Sequence, residues 1–332
     1  MIRALQGRLR GTGFTLLAVL LAVCLRAAAE SPAAGKPAAE RALIQGRVDE
    51  AVNLLNTVIA ANPKDGAAYL LLCRAYYSEE LSSEAVSACE SALGNGLARD
   101  SAAQDWMGRA YGKKADESGP ISGISLAKKV KIAFEAAVQL DPRNPAAAND
   151  LSEFYVGAPG FIGGGLDKAT ALAASIEARL PQPAHRMRAL IAEKQKDYGT
   201  AEREFKAAVG VAGHADAWTD LADFYSRRKQ RDQAVATLRK ALEADGAKDA
   251  TLVDIASILM DIKREPQLAE RVLRDYLESN AKSDANPAFK AHYLLGKLLS
   301  TAGNKAAAKS EYEAALALAS NYSRARKALQ AL

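Results

Sequence analysis

The chain has 332 residues, 49% of them hydrophobic, 6% aromatic and 25% charged, with a formal net charge of +5. That length allows a sizeable core or two ordinary domains, and abundant alanine with scarce aromatics suits close-packed helices better than a β-sandwich. The basic surplus sits in the first 29 residues, which hold four arginines and no acid; the remainder carries 40 basic and 39 acidic residues, too even a balance for a nucleic-acid binder, which needs a basic face to release counterions.

The chain opens on a processing signal. Arg3, Arg8 and Arg10 precede an apolar run of twelve residues from Phe14 to Leu25, and Ala27-Ala28-Ala29 offers an A-x-A cleavage site before Glu30. The run falls short of the roughly 20 residues of a membrane-spanning helix. Cleavage after Ala29 is expected, with a periplasmic or secreted product. Two alternatives use the same residues: lipidation at Cys24, which bulky Val23 disfavours, and an uncleaved anchor, since Arg26 is awkwardly placed before the cleavage site. Residues 30–37, Pro- and Gly-containing, are expected to form a flexible leader.

Beyond it a motif recurs. Tyr69-x-x-Leu72-Cys73-x-x-Tyr76 is followed by Ala85 and Ala92. Trp218-x-x-Leu221-Ala222-x-x-Tyr225 is followed by Ala234, Leu238 and Ala241, and His292-x-x-Leu295-Gly296-x-x-Leu299 by Ala308, Tyr312 and Ala315. From first residue to first late alanine the spacing is sixteen each time. The pattern resembles the tetratricopeptide repeat, a helix–turn–helix unit of about 34 residues. Large residues at 4, 7 and 11 share a face of the first helix, and small ones at 8, 20 and 27 let the second helix approach. The resemblance implies an all-α, right-handed α-solenoid over 38–332, with about eight repeats.

In chain order the expected repeats span 32–65, 66–99, 101–144, 145–183, 184–214, 215–248, 249–282 and 289–322, with a capping helix over 323–332. The first has a weak first helix, and the register of the fifth is loose. Gly94-Asn95-Gly96 and Asp245-Gly246 mark helix ends. Inserts at 113–129 and 156–168 are expected to widen the turns of the third and fourth repeats. These inserts, through Gly123-Ile-Ser-Leu-Ala-Lys-Lys and Tyr155-x-x-Ala-Pro-Gly, resemble a narrower group of exported bacterial tetratricopeptide proteins, a likeness that implies no activity. Gly160 and Gly165 have the glycine spacing of a phosphate loop, but Leu166-Asp167 stands where Lys-Ser is needed. A wide turn is therefore expected, with Asp167 favourably placed near the N-terminus of the next helix.

Cys73 and Cys89 fall at positions 8 and 24 of one repeat, and two readings stand: a disulfide, in keeping with export, or two small buried core residues. His185, His214 and His292 lie in no metal-ligand spacing, and His292 occupies a core slot. No nucleophile motif occurs. Neither catalysis, metal nor cofactor is expected.

The resemblance further implies a concave face lined by positions 2, 5, 9 and 12 of each first helix. Here these include Leu70, Arg74, Tyr77, Asp105, Arg109, Asn149, Glu153, Thr219 and Asp223. Trp106 lies beside the groove at position 6, outside the needs of the core. Arg74, Tyr77, Trp106 and Arg109 form the expected centre, being of the types that dominate binding energy. The groove runs from basic (Arg74, Arg109, Lys113) to acidic (Asp150, Glu153, Asp220, Asp223), which would steer a peptide of opposite polarity. The expected function is a non-catalytic periplasmic scaffold for a protein or peptide. The alternative is a subunit of an envelope assembly or secretion complex, docking through its convex face or inserts.

Overall fold

The computed structural model describes residues 32–244 and 250–332. The expected processing signal, the Asp245-Gly246 helix end and the expected start of the seventh repeat at Asp249 lie outside the described residues.

Among the described residues the chain is all helical apart from turns, and its helices form eight consecutive pairs. These are α1 (Pro32–Ile44) with α2 (Val48–Ala61), α3 (Gly66–Ser78) with α4 (Ser82–Ala92), α5 (Ser101–Asp116) with α6 (Pro120–Leu140), and α7 (Pro145–Gly157) with α8 (Leu166–Ile176). Then follow α9 (Pro181–Lys194) with α10 (Tyr198–Ala212), α11 (Ala215–Arg227) with α12 (Arg231–Glu243), α13 (Thr251–Asp261) with α14 (Pro266–Glu278), and α15 (Ala288–Thr301) with α16 (Lys305–Leu318). A last helix, α17 (Ser323–Gln330), caps the solenoid. Local chemistry sets many starts. The side chains of Asp65, Asp100, Asn144, Asp197 and Asn304 accept hydrogen bonds from the first free amides of α3, α5, α7, α10 and α16. Proline opens α6, α7, α9 and α14, where its missing N–H costs nothing.

The same close approach joins the two helices of the third and eighth repeats. A Cβ on Gly108 would lie 2.4 Å from the Phe134 ring, and one on Gly296 would lie 2.6 Å from the Tyr312 ring. At the equivalent place in the second repeat stand Cys73 and Cys89, joined in a disulfide with their Cα atoms 5.2 Å apart. Small-against-large packing there lets the late alanines Ala85, Ala234 and Ala308 bury completely.

The solenoid also closes on itself. Phe289 of α15 and Tyr322, just before α17, share one core with Leu43, Val48 and Leu55 of the first repeat. Their rings stand edge to face at 4.9 Å. Polar contacts flank this seam: Asp49 accepts from the Ser320 amide at 3.0 Å, buried Glu79 accepts from the Asn321 amide at 3.1 Å, and Arg324 pairs with Glu80 at 2.8 Å. Arg74 pairs with Asp284 at 2.6 Å across the same gap. Ala325 of α17 is fully buried in the first repeat's core. The segment leading into the cap thus ties the last repeat to the first, while α17 covers α15 and α16.

Several sequence expectations change. Residues 32–37 belong to α1, not to a flexible leader, and Lys36 pairs with Asp65 at 3.0 Å. The 113–129 insert is not a wide turn: it lengthens both helices of the third repeat, leaving only 117–119 between them. Isoleucine, leucine, alanine and lysine in that stretch are all competent helix formers. α9 starts at Pro181, ahead of the expected boundary at 184. The register of the fifth repeat follows from a shared contact: His185 meets Glu204, and His292 meets Glu311, each at 2.7 Å and each 19 residues apart. His292 is accordingly half-buried and hydrogen-bonded, not enclosed in the core.

The 156–168 insert is a true widened turn with a short 3-10 segment at Gly160–Ile162. Gly163 takes φ +111, and a Cβ on Gly164 would lie 1.9 Å from the Ala158 carbonyl oxygen. The glycines serve backbone packing, and Asp167 falls in the first turn of α8.

Gly164→Ala is expected to destabilise the chain by about 1–3 kcal/mol. Gly160→Ala, where nothing lies within 4 Å, should leave stability unchanged; parallel thermal melts compare them. Phe289→Ala opens a cavity in the seam and should cost about 3–5 kcal/mol. Urea titration measures that loss, and small-angle scattering reads any parting of the ends as a larger radius of gyration.

Candidate partner-binding site

The first helices of the repeats form the inner layer, and their charged side chains ladder from one repeat to the next. Arg186 on α9 donates to Asp220 on α11 at 2.9 Å and to Glu153 on α7 at 2.6 Å. Arg227 on α11 pairs with Glu193 on α9 at 2.8 Å and with Asp223 within its own helix. Arg109 on α5 bonds Asp150 on α7 and reaches Asp105 at 3.2 Å. Partners one repeat apart are separated by 33 or 34 residues, and by 41 across the longer third repeat.

A concave cavity of about 530 Å³ opens beside this ladder. Among the described residues its wall carries seven carboxylates (Asp150, Glu153, Asp216, Asp220, Asp223, Asp254 and Asp261) against two guanidiniums, Arg109 and Arg186. Burial works against the charge on Arg186, but Asp220 and Glu153 outweigh it and hold the guanidinium protonated. Burial also lifts Asp220 and Asp223 above the usual carboxylate range, in spite of their arginine partners. A second concavity of about 670 Å³ adjoins it, lined by Tyr77, Arg109, Lys113, Phe134 and Glu153 among others.

The expected groove residues therefore divide. Arg109, Asn149, Glu153 and Asp223 line the acidic cavity, and Tyr77 lines its neighbour. Arg74 and Trp106 line neither of these two cavities. Trp106 is half-buried against the core of the second repeat, contrary to the expectation that packing does not need it. Its ring meets Tyr77 edge-on at 5.4 Å, with the guanidinium carbons of Arg74 and Arg109 at 5.6 and 4.7 Å from its centroid. The expected hot-spot cluster is thus engaged within the chain. Asp105, expected in the groove, is only 3% exposed. Of the acids sequence reasoning passed over, Asp254 and Asp261 had a signal: Glu153, Arg186, Asp220 and Asp254 recur at the repeat period, as do Glu193, Arg227 and Asp261, whereas Asp216 belongs to neither series.

Asp105 and Asp150 share Arg109. Burial first, and then the Asp150 charge, lift the Asp105 carboxyl from 3.8 to about 7, against the pull of Arg109. The folded chain then holds this proton more tightly than the unfolded chain. Stability is highest below the unfolded value near 3.8 and falls as pH rises toward about 7. Asp105→Asn should flatten that slope: little change near pH 4, and a higher melting temperature than the parent at pH 8. Melts across this range check it.

Residues 42–105, 215–248 and 289–322 match family models described as tetratricopeptide repeat. No curated protein matches the chain. Among solved structures it is similar to TTC0263, a thermophilic TPR protein in Thermus thermophilus, at 18% identity over 69% of this chain and 100% of that one, with a TM-score of 0.47. It is similar to the APC/C hetero-tetramer Cut9–Hcn1 at 12% identity over 87% of this chain and 53% of that one, with a TM-score of 0.39. YrrB, a TPR protein with an unusual peptide-binding site, is similar at 19% identity over 57% of this chain and 91% of that one, with a TM-score of 0.36. With consecutive helix pairs and three matched stretches, the chain carries tetratricopeptide repeats.

Proposed function

We propose that the chain is an exported, non-catalytic scaffold that holds a protein or peptide partner against its concave face, and that the segment it holds is basic. The observation that carries this is the charge of the cavity wall, which seven carboxylates line against two arginines, with Arg227 beside the wall pairing Asp223. Asn149 and Asp223 in the cavity, with Glu153 and Arg109 at its junction with the second concavity, are the proposed contacts. Tyr77 lines the second concavity, with Trp106 packed against it and Arg74 over the Trp106 ring. Lysine or arginine side chains of a partner would be drawn by the acidic field and would relieve the crowding of carboxylates. Micromolar affinity corresponds to about −8 kcal/mol, within reach of several modest contacts.

Two features support export to the periplasm: the amino-terminal arginines, apolar run and A-x-A site, and the Cys73–Cys89 disulfide, a bond that persists in oxidising compartments. The reading as a subunit of an envelope assembly is favoured by one observation, the exposed apolar side chains of the inserts.

A fluorescent octa-lysine peptide is expected to bind, with affinity that falls as salt rises, and an octa-glutamate peptide is not. Asp223→Asn with Asp261→Asn should weaken octa-lysine binding by about fivefold per carboxylate. Titration by fluorescence anisotropy decides: octa-lysine that fails to bind, or binds the variant equally well, removes the basic-partner reading.

A further inference from the structure

The two inserts meet on one rim of the solenoid. Residues 160–162 pack beside α6, where Gly163 leaves room for the Lys131 stem; a Cβ there would lie 2.5 Å from Lys131 Cδ. Both inserts lie at the turn between first and second helices of adjacent repeats, so they project on the same side. α6 has 21 residues where α2 has 14, which adds about 10 Å of helix at 1.5 Å per residue.

This rim is where exposed apolar surface concentrates. Ile121 is 87% exposed, Phe161 71% and Ile132 65%, with Ile124 also exposed. On α6, Ile121, Ile124, Lys128 and Ile132 fall at i, i+3, i+7 and i+11, along one outer stripe. Residues 118–134 hold three lysines and no acid. Lys128 and Lys129 are exposed, and so is Lys168 at the start of α8 in the next repeat, which donates to the Gly163 carbonyl of the widened turn. The core explains none of this, and neither does the acidic cavity, whose charge is opposite.

We propose that this rim is a peripheral membrane-contact surface that rests on anionic phospholipid. The chemistry fits that occupant. Isoleucine and phenylalanine side chains enter the headgroup–acyl boundary, while neighbouring lysines meet lipid phosphates. Between Glu117 and Glu135, α6 carries lysines and apolar side chains without an acid, which matches a negatively charged interface with an apolar layer beneath it; the exposed Asp167 lies at the start of α8. No helix among the described residues is long and apolar enough to cross a membrane, so the contact is one of resting on the bilayer. It would place the acidic cavity at a fixed orientation to the lipid surface.

The test is co-sedimentation of the chain from Glu30 onward, which keeps every described residue and leaves out the apolar run at 14–25. The vesicles are pure phosphatidylcholine, or phosphatidylcholine with one-third phosphatidylglycerol. Binding to the mixed vesicles alone is expected, weakening with salt. I121S with F161S, and K128E with K129E, should each reduce it about tenfold or more, with far-ultraviolet circular dichroism and melting temperature unchanged. Failure to bind mixed vesicles, or equal binding by both variants, overturns the proposal. So does cross-linking from Ile121 or Phe161 positions to a protein in envelope extract when the vesicles stay unbound.

Discussion

Phe289 and Tyr322 sit in the core of the first repeat, and the inner geometry of the molecule depends on that seam. A row of stacked helix pairs has two apolar end faces that must be covered. Here α17 packs on α15 and α16, and the segment before it reaches the first repeat, where α16 meets α2. Closure brings Arg74 within 2.6 Å of Asp284, 210 residues away, and lets residues from the third and seventh repeats, Arg109 and Asp254, wall one cavity. With the ends apart, the same side chains would line an open groove and the carboxylates would face water separately.

The charge ladder is the second consequence of stacking. Identical positions in adjacent repeats lie side by side, so opposite charges at the repeat period pair across helices. Each such pair contributes little to stability, about 0–1 kcal/mol where exposed. Its value lies in alignment, since Arg186 between Glu153 and Asp220 holds three successive repeats in register. The ladder also determines what is left over. Arginines are consumed by neighbours, acids outnumber them on the cavity wall, and the remaining field is negative although the chain after residue 29 is close to neutral.

Much of the fold was legible because a repeat states the same packing rule many times. Alanine or glycine opposite an aromatic, at a constant spacing, marks a helix pair whether or not any single helix is obvious. The inserts were legible as extra length but not as structure. Residues 120–129 were read as part of a widened turn, and they form the body of a helix with α5 packed beside it. The glycine stretch was read as a wide turn, because Leu166-Asp167 lacks phosphate chemistry, and a turn is what stands there. The site was harder. Arg74, Trp106 and Arg109 have the side chains of binding hot spots, and nothing local says that Tyr77 and Asp150 already occupy them.

The sequence by itself determined the helix pairs, their small-against-large contact, the placement of Cys73 and Cys89 on the two helices of one repeat, and the repeat-period alternation of charge, because each depends on residues within one repeat or its immediate neighbour. Tertiary structure alone decided that the ends meet, that the inner arginines are spent on their own chain, and that unbalanced carboxylates gather on one wall. Small rotations between successive repeats accumulate along the chain, and no local pattern records their total.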